Sequence, residues 1–249
     1  MNLLLFDPAE LAAGAGGVTL AAGDRRARHL VAVLRARVGQ VLRAGVAGGA
    51  TGSAEVLAIA GGAVTLRVAL DGPASPRPPV DLVLAVPRPK ALARALQTAA
   101  ALGVGRIDLV NAWRVDRAYF SSPQLAPAAL AEAVRLGCEQ GGTTWLPEVA
   151  VHPLLMPFLR ASAPGWSGRR LLLAHPRAGV RLEEVARPGE GGPALLAIGP
   201  EGGWIEREVE TFAGLGFSPV SLGDAVLRVE AAIAALLAQL ELLRRLGPA

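Results

Sequence analysis

The hydrophobic and polar positions of this chain fall into two regimes. In the first, apolar pieces are short and separated by glycine. Val41-Leu42, Ala54-Glu55-Val56 and Ala63–Val68 read as short strands with glycine turns, which predicts a small β-barrel. Ahead of them, residues 1–23 predict small strands and turns. Asp24 is placed to cap a helix, whose core face is Ala27, Leu30, Val31 and Leu34 at helical spacing. The run from Pro73 to Pro79 breaks both periods, because prolines at this density hold an extended backbone. Beyond it strand and helix patterns alternate. Val80–Val86 is an apolar run. Leu92, Ala95, Leu96, Ala99 and Leu102 make a helical stripe that Gly103 closes. Ile107–Val110 follows, then a helix marked by Leu130, Ala133, Val134 and Cys138 that ends at Gly141-Gly142, then Leu171–Ala174. Ala194–Ile198 and Phe217–Leu222 are the last two strand-like runs, and each is followed by a glycine-bearing loop and a helix. The pattern predicts an α/β fold with a mainly parallel sheet, helices on its faces and right-handed crossovers. The predicted division is a barrel domain over 1–72, a linker over 73–79 and an α/β domain over 80–249.

Composition narrows the classes. The chain has 249 residues, 52% of them apolar, enough for a substantial core. No apolar run reaches the roughly 18–20 residues of a membrane span, and MNLLLFDPAE lacks the basic start of a secretory signal. Cys138 is the only cysteine, so neither an internal disulfide nor a cysteine-based metal site is expected. His29, His152 and His175 form no cluster by spacing, and no metal is expected. The plain expectation is a cytoplasmic protein without a membrane segment. Net charge is +4, and Lys90 is the only lysine among 25 basic residues. Arg25, Arg26, Arg28, His29, Arg35 and Arg37, with Arg43, form the densest basic stretch, which only Asp24 opposes nearby. It serves either as a phosphate-contact surface for nucleic acid or as a solvated helix face.

The chemistry concentrates near the carboxyl end. Gly199-Pro200-Glu201-Gly202-Gly203 is either a tight strand-to-helix turn or a loop whose backbone approaches a ligand closely. Neither a GxxxxGK[ST] nor a GxGxxG pattern is present, which argues against nucleoside triphosphates and dinucleotides. The second loop, from Gly223 to Val226, leads into Arg228 and Glu230 at a helix start. These two residues form either an exposed salt bridge or a substrate-facing cation with a supporting carboxylate. Ligands in α/β sheets favour the carboxyl ends of strands, so the two loops are expected to be two walls of one site. Trp113, Tyr119, Phe120 and Trp145 are candidates for base stacking, although core packing is the commoner role. Trp204 either covers the first loop or packs at its helix start. His175 follows a strand end and is a candidate for the edge of the pocket.

IGPEGGWIEREVE followed by FSPVSLGDAVLRVEAAIAALL resembles the RsmE-type 16S rRNA uridine-N3 methyltransferases of the SPOUT superfamily, whose pattern is GPEGG-[FW]-x-x-x-E, a strand, then LG-x-x-[IV]-LR-x-E-[TA]-A. His29-Leu30 with Val33-Leu34-Arg35 and Gly39 resembles that family's HL-x-x-VLR segment, Leu102-Gly103-Val104 its LGV, and Glu139-Gln140 with Leu146-Pro147 its EQ…P. The chain departs from the pattern at Thr98–Ala101, at Thr143, at Ala231 and across Asn111-Ala112-Trp113-Arg114-Val115, where [ST]-x-R-S-V is usual. These departures mark a divergent subgroup.

The resemblance implies a SPOUT-type trefoil-knotted parallel sheet and an N-terminal PUA-like β-barrel that helps to hold RNA. It implies S-adenosyl-L-methionine held by Ala197, Ile198, Gly199, Pro200, Glu201, Gly202, Gly203, Leu222, Gly223, Val226, Leu227, Arg228 and Ala231. It implies a homodimer acting on 16S rRNA or the small ribosomal subunit. Methyl transfer to uracil N3 needs an in-line nucleophile and loss of the N3 proton. Arg228 is the candidate that stabilises the developing anion, and Glu201 and Glu230 are the candidates for removing the proton. A SPOUT enzyme with another RNA target and a non-catalytic RNA-binding protein of the same fold are the alternatives.

Overall fold

The computed structural model describes residues 1–12, 17–187, 189 and 192–246. The chain divides into two compact units, one of Met1–Pro76 with Arg135–Leu146, the other of Arg77–Val134 with Pro147–Ala249.

The first unit opens with β1 (Leu4–Phe6), α1 (Pro8–Ala12), β2 (Gly17–Leu20) and α2 (Arg25–Arg28), then β3 (Val41–Val46), β4 (Ala50–Ala60) and β5 (Ala63–Ala74). The strands form one five-stranded sheet in the order β1-β3-β4-β5-β2, parallel only between β1 and β3. Leu4 and Phe6 at one edge share a single core with Val18 and Leu20 at the other, so the sheet is rolled around its apolar face. Ala54 and Val56 on β4 and Val64 and Leu66 on β5 alternate with exposed or half-exposed neighbours, the period that puts one face inward. The expected short strands are therefore present, with β5 continuing through Pro73, the first residue of the expected linker.

Asp24 caps α2 as expected, its carboxylate accepting the Arg26 N–H. The regular helix then ends early. His29–Val33 form a wider π-type turn, closed where the Leu34 N–H donates to the His29 carbonyl. Ala27 and Leu30 are buried, whereas Leu34, expected on the core face, is exposed. Arg35 follows in the left-handed region at φ 49°, a conformation that favours glycine after a helix end.

The second unit contains β6 (Val80–Ala85), α3 (Pro89–Leu102), β7 (Arg106–Val110), the start of α4 (Pro127–Gly141), β8 (Glu148–His152), α5 (Leu155–Ser162), β9 (Arg170–Ala174), α6 (Leu182–Val185), β10 (Ala194–Ile198), α7 (Glu206–Gly214), β11 (Ser218–Val220) and α8 (Val229–Arg245). Its strands form a six-stranded sheet in the order β11-β9-β10-β6-β7-β8, parallel at every pairing. The central strands β6 and β10 are buried almost throughout, as expected of a parallel sheet covered on both faces. Pro89 opens α3, and Gly103 at φ 86° ends it. Asp81, buried on β6, is held between Arg77 and Arg169 at 2.7 and 2.8 Å.

The expected domain division needs one correction. The end of α4 and the loop after it, Arg135–Leu146, belong to the first unit and not to an uninterrupted 80–249 domain. Glu139 is 1% exposed, and its carboxylate takes a two-pronged pair of hydrogen bonds from Arg25 at 2.7 and 2.8 Å. Its backbone carbonyl accepts the N–H groups of Asn2 and Leu3. Thr144 and Ser75 exchange hydrogen bonds, and a side chain at Gly45 would overlap the Thr144 methyl. Cys138 lies buried beside them, its thiol pushed up to about 12 by burial and donating to the Trp145 carbonyl. These bonds depend on partners far along the chain, which local periodicity does not show.

Candidate functional site

Because every strand of the second sheet is parallel, the carboxyl ends of β6, β7, β9, β10 and β11 open on one edge. The first loop, Gly199–Gly203, leaves β10. The second, from Ser221 to Arg228, leaves β11. Only β9 separates the two strands, so the loops start two strand spacings apart, about 10 Å. His175, at the end of β9, stands between them, and its N–H donates to the Val220 carbonyl. Burial, with Arg177 nearby, lowers the His175 pKa. The chain after β9 also runs beside the start of the second loop, where Arg181 bridges in parallel with Ser221.

Each glycine of the first loop has its own physical reason. A Cβ on Gly199 would lie 3.1–3.3 Å from three atoms of the Trp204 indole. A Cβ on Gly202 would lie 3.1 Å from the Arg114 stem, and the Arg114 guanidinium donates to the Gly202 carbonyl. Gly203 sits at φ 72°. Trp204 is 4% exposed, packed on Phe212 with ring centroids 5.0 Å apart. It therefore packs at the helix start, with its indole also lying against Gly199 of the loop. Its indole N–H is buried without a partner among the described residues.

Glu201 turns its carboxylate to the backbone N–H of Arg88 at 3.0 Å, tying the first loop to the start of α3. Glu208, the glutamate of the GPEGG-W-x-x-x-E spacing, is 4% exposed. Its carboxylate accepts the Ile205 N–H, capping α7, and the Trp113 N–H at 2.8 Å. The loops after β6, β7 and β10 are thus knitted together by Glu201, Glu208 and Arg114. Arg88 and Arg114 had no signal in composition or periodicity.

The second loop is more open. Leu222 and Gly223 are half-buried, whereas Val226 is 79% and Leu227 40% exposed. Gly223 takes φ 129°. Arg228 is exposed at the start of α8 and makes no ion pair among the described residues. Glu230, in the first turn of α8, faces Arg94 of α3 at 3.7 Å. Of the two readings of Arg228 and Glu230, the exposed salt bridge between them is absent among the described residues, and Glu230 pairs with α3. Ala231 is exposed on α8, beside the buried face of Val229, Ile233, Leu236, Leu237 and Leu240. Ala197 and Ile198 are fully inside the sheet, so only their backbone groups can meet a ligand. A separate cleft among Val80, Leu102, Arg170, Leu240 and Arg244 lies at the amino ends of the strands, the edge away from both loops.

The basic stretch of the first unit divides. Arg25 serves Glu139. Arg26 is 7% exposed, donates to the Leu5 carbonyl and lies between Asp24 and Glu10 and over the Phe6 ring. Burial works against its charge, but the hydrogen bonds it donates to Asp24 and Glu10 outweigh it and raise its pKa. Both arginines are held in internal ion pairs, contrary to their candidacy for phosphate contact. His29 is half-buried, its Nε2 without a partner among the described residues, and its pKa is lowered by burial and by neighbouring cations. Arg28, Arg35 and Arg37 remain exposed. Among the other aromatics, Tyr119 and Phe120 pack against the second unit's core, whereas Trp113 is 78% exposed.

Among the described residues no helix is long and apolar enough to cross a membrane. The family model for the RNA methyltransferase domain matches residues 73–241. The ribosomal RNA small subunit methyltransferase E of Treponema pallidum is 31% identical over 239 residues, 94% of this chain and 88% of that protein. The Mycobacterium bovis protein of the same name is 28% identical over 88% of this chain and 84% of its own. The crystal structure of the Neisseria gonorrhoeae ribosomal RNA small subunit methyltransferase E, bound to S-adenosyl methionine, superposes with a TM-score of 0.73 at 26% identity, covering 98% of both chains. With a rolled sheet ahead of an all-parallel one, glycine loops at the carboxyl edge and sequence similarity along nearly its whole length, this chain belongs to the ribosomal RNA small subunit methyltransferase E family of RNA methyltransferases.

Proposed function

We propose that this chain transfers a methyl group from S-adenosyl-L-methionine to N3 of a uridine in 16S rRNA, acting as a homodimer in the cytoplasm. The single observation that carries the reading is the placement of two ligand-ready loops on either side of β9, with an exposed arginine at the end of the second. The residues fit the donor. Backbone groups at Ala197–Gly199, Gly202–Gly203 and Leu222–Leu227 lie at the carboxyl edge, and the exposed Val226 and Leu227 offer apolar cover for a flat adenine. The knot of related enzymes is proposed for the path of β9–β11 and α8.

When bound, S-adenosyl-L-methionine supplies a methyl group on a sulfonium centre. The chain's own part is to place uracil N3 in line with that methyl and to take charge of the N3 proton. Arg228, without a carboxylate partner among the described residues, is available to stabilise negative charge on the uracil as N3 loses its proton. Glu201 keeps one oxygen on the Arg88 N–H, which fixes its position beside the loop. Glu230 shares its charge with Arg94, a geometry that suits orienting α8. Proton removal is assigned to Glu201, whose second oxygen is left for substrate. In the first unit, the proposed PUA-like domain, Arg28, Arg35 and Arg37 contact RNA phosphate.

The test is mass spectrometry of 16S rRNA from a strain lacking this gene, with and without complementation, alongside calorimetry of the pure protein with the donor. One N3-methyluridine lost on deletion and restored on complementation supports the assignment. Donor binding with a different RNA mark restored would assign another target, and no donor binding would favour a non-catalytic RNA-binding role.

A further inference from the structure

Trp113 stands apart from every other tryptophan in the chain. Trp166 and Trp204 are 8% and 4% exposed and Trp145 is half-buried, whereas Trp113 is 78% exposed. It occupies a position where the family pattern has arginine, in the loop that leaves β7 at the carboxyl edge of the sheet. Its ring contributes nothing to the core, yet its backbone is rigidly placed. Ala112 and Val115 on either side are 5% and 6% exposed. The Trp113 N–H is held by the buried Glu208 carboxylate, and the next residue, Arg114, lies on Gly202 and donates to its carbonyl. The indole is thus presented from the loop that touches the GPEGG turn.

Its surroundings favour a polyanion over an apolar partner. Arg114 and Arg117 are exposed next to it in the chain, and Arg88 is exposed on the loop that Glu201 ties to the same turn. Asp116, the nearest carboxylate in sequence, accepts the Ala118 N–H. A docking surface for protein would present a contiguous apolar patch. Here a single exposed ring lies in a stretch that also carries the exposed Arg114 and Arg117, the combination by which proteins hold unpaired nucleotides: stacking on the aromatic face with cations along the backbone.

We propose that Trp113 is a stacking platform for an unpaired RNA base at the rim of the site, either the target uridine as it leaves its helix or the nucleotide beside it. This rests on the RNA methyl-transfer reading and adds a substrate-positioning contact to it. Stacking on an aromatic ring predicts a loss of roughly 5- to 150-fold on truncation to alanine. The experiment uses the full chain with a 16S rRNA transcript and a uridine-containing single-stranded RNA oligonucleotide, and it compares native protein with Trp113→Ala and Trp113→Phe. The expected result is a KM for RNA raised within that range in Trp113→Ala and largely recovered in Trp113→Phe, with donor affinity unchanged by calorimetry. In the native protein, RNA quenches the tryptophan emission, and in Trp113→Ala most of that quenching is gone.

RNA affinity and turnover in Trp113→Ala within twofold of native would overturn the platform while leaving the methyl-transfer reading intact. Dissociation of an oligomer in Trp113→Ala with RNA quenching retained would overturn it in favour of a contact between copies of the chain. A native protein that binds neither the donor nor either RNA would end both readings.

Discussion

At the scale of single residues, the outcome for each arginine turns on whether a carboxylate reaches it. Arg228 meets none among the described residues, which supports its proposed use toward substrate. Arg228→Ala is expected to lower the rate of methylation at least 100-fold while changing donor affinity by less than about threefold. Loss of donor binding in a folded variant would assign Arg228 to the donor instead. Arg26 shows the opposite case. Burial alone would raise the Glu10 and Asp24 pKa values, but their hydrogen bonds with Arg26 outweigh it and hold both below their ordinary 4.5 and 3.8. The folded chain therefore binds these protons less tightly than the unfolded chain. The cluster's stabilisation is complete above the ordinary carboxylate range and is lost as pH falls through the depressed values. Arg26→Ala should destabilise the first unit by about 3 kcal/mol at neutral pH, since it strands two partly buried carboxylates. Thermal unfolding from pH 7 to pH 3 should show the gap between native and variant closing toward the acid end. A gap that stays constant would mean that the ion pairs are not its source.

Arg35 combines both lessons. It takes a left-handed backbone where glycine is the low-strain residue, and its side chain is exposed. Its arginine identity is not explained by local backbone preference, which supports its proposed use toward RNA.

At the scale of elements, the turn from β10 to α7 depends on how closely its neighbours approach. Gly199 has no positive φ, so its requirement is the indole 3.1 Å from where a Cβ would sit. Gly199→Ala is expected to displace Trp204 from Phe212, to cost about 1–3 kcal/mol as an overpacked core does, and to weaken donor binding. Differential scanning calorimetry and donor titration check both, and an unchanged midpoint with native affinity would show that the indole yields freely. Glu208 adds a second constraint, because one buried carboxylate caps α7 and holds the β7 loop. The β-strands themselves were legible, since Ala194–Ile198 is a run of apolar residues bounded by a glycine loop and is buried along its whole length. The helix expected after Asp24 stops at Arg28, because apolar spacing does not distinguish an α-helix from a π-type turn that ends in a left-handed residue.

At the scale of the whole molecule, the first unit is a rolled sheet completed by a segment that returns from residue 135, and the second is an all-parallel sheet. The proposed RNA contact of the first unit rests on Arg28, Arg35 and Arg37 after Arg25 and Arg26 are assigned to internal pairs. RNA affinity should therefore fall with salt at a log–log slope shallower by about 2 when these three are replaced by alanine, at roughly 0.7 per phosphate contact on single strands. Binding by filter retention between low and moderate salt measures this, and an unchanged slope would move the contact elsewhere.

Local order is what the sequence by itself determined. The alternation of apolar runs with helical stripes specified a parallel α/β sheet, the glycine loops marked its carboxyl edge, and the motif spacing pointed to the family. All of these are read over a few residues, within the reach of a strand or a helical turn. Only the tertiary structure decided which charges are spent internally. Arg25 meets Glu139 across 114 positions, Glu201 reaches Arg88 across 113, and Arg114 reaches Gly202 across 88. Such partners are set by the order in which strands lie side by side, and that order is a property of the packed sheet, not of any stretch of chain.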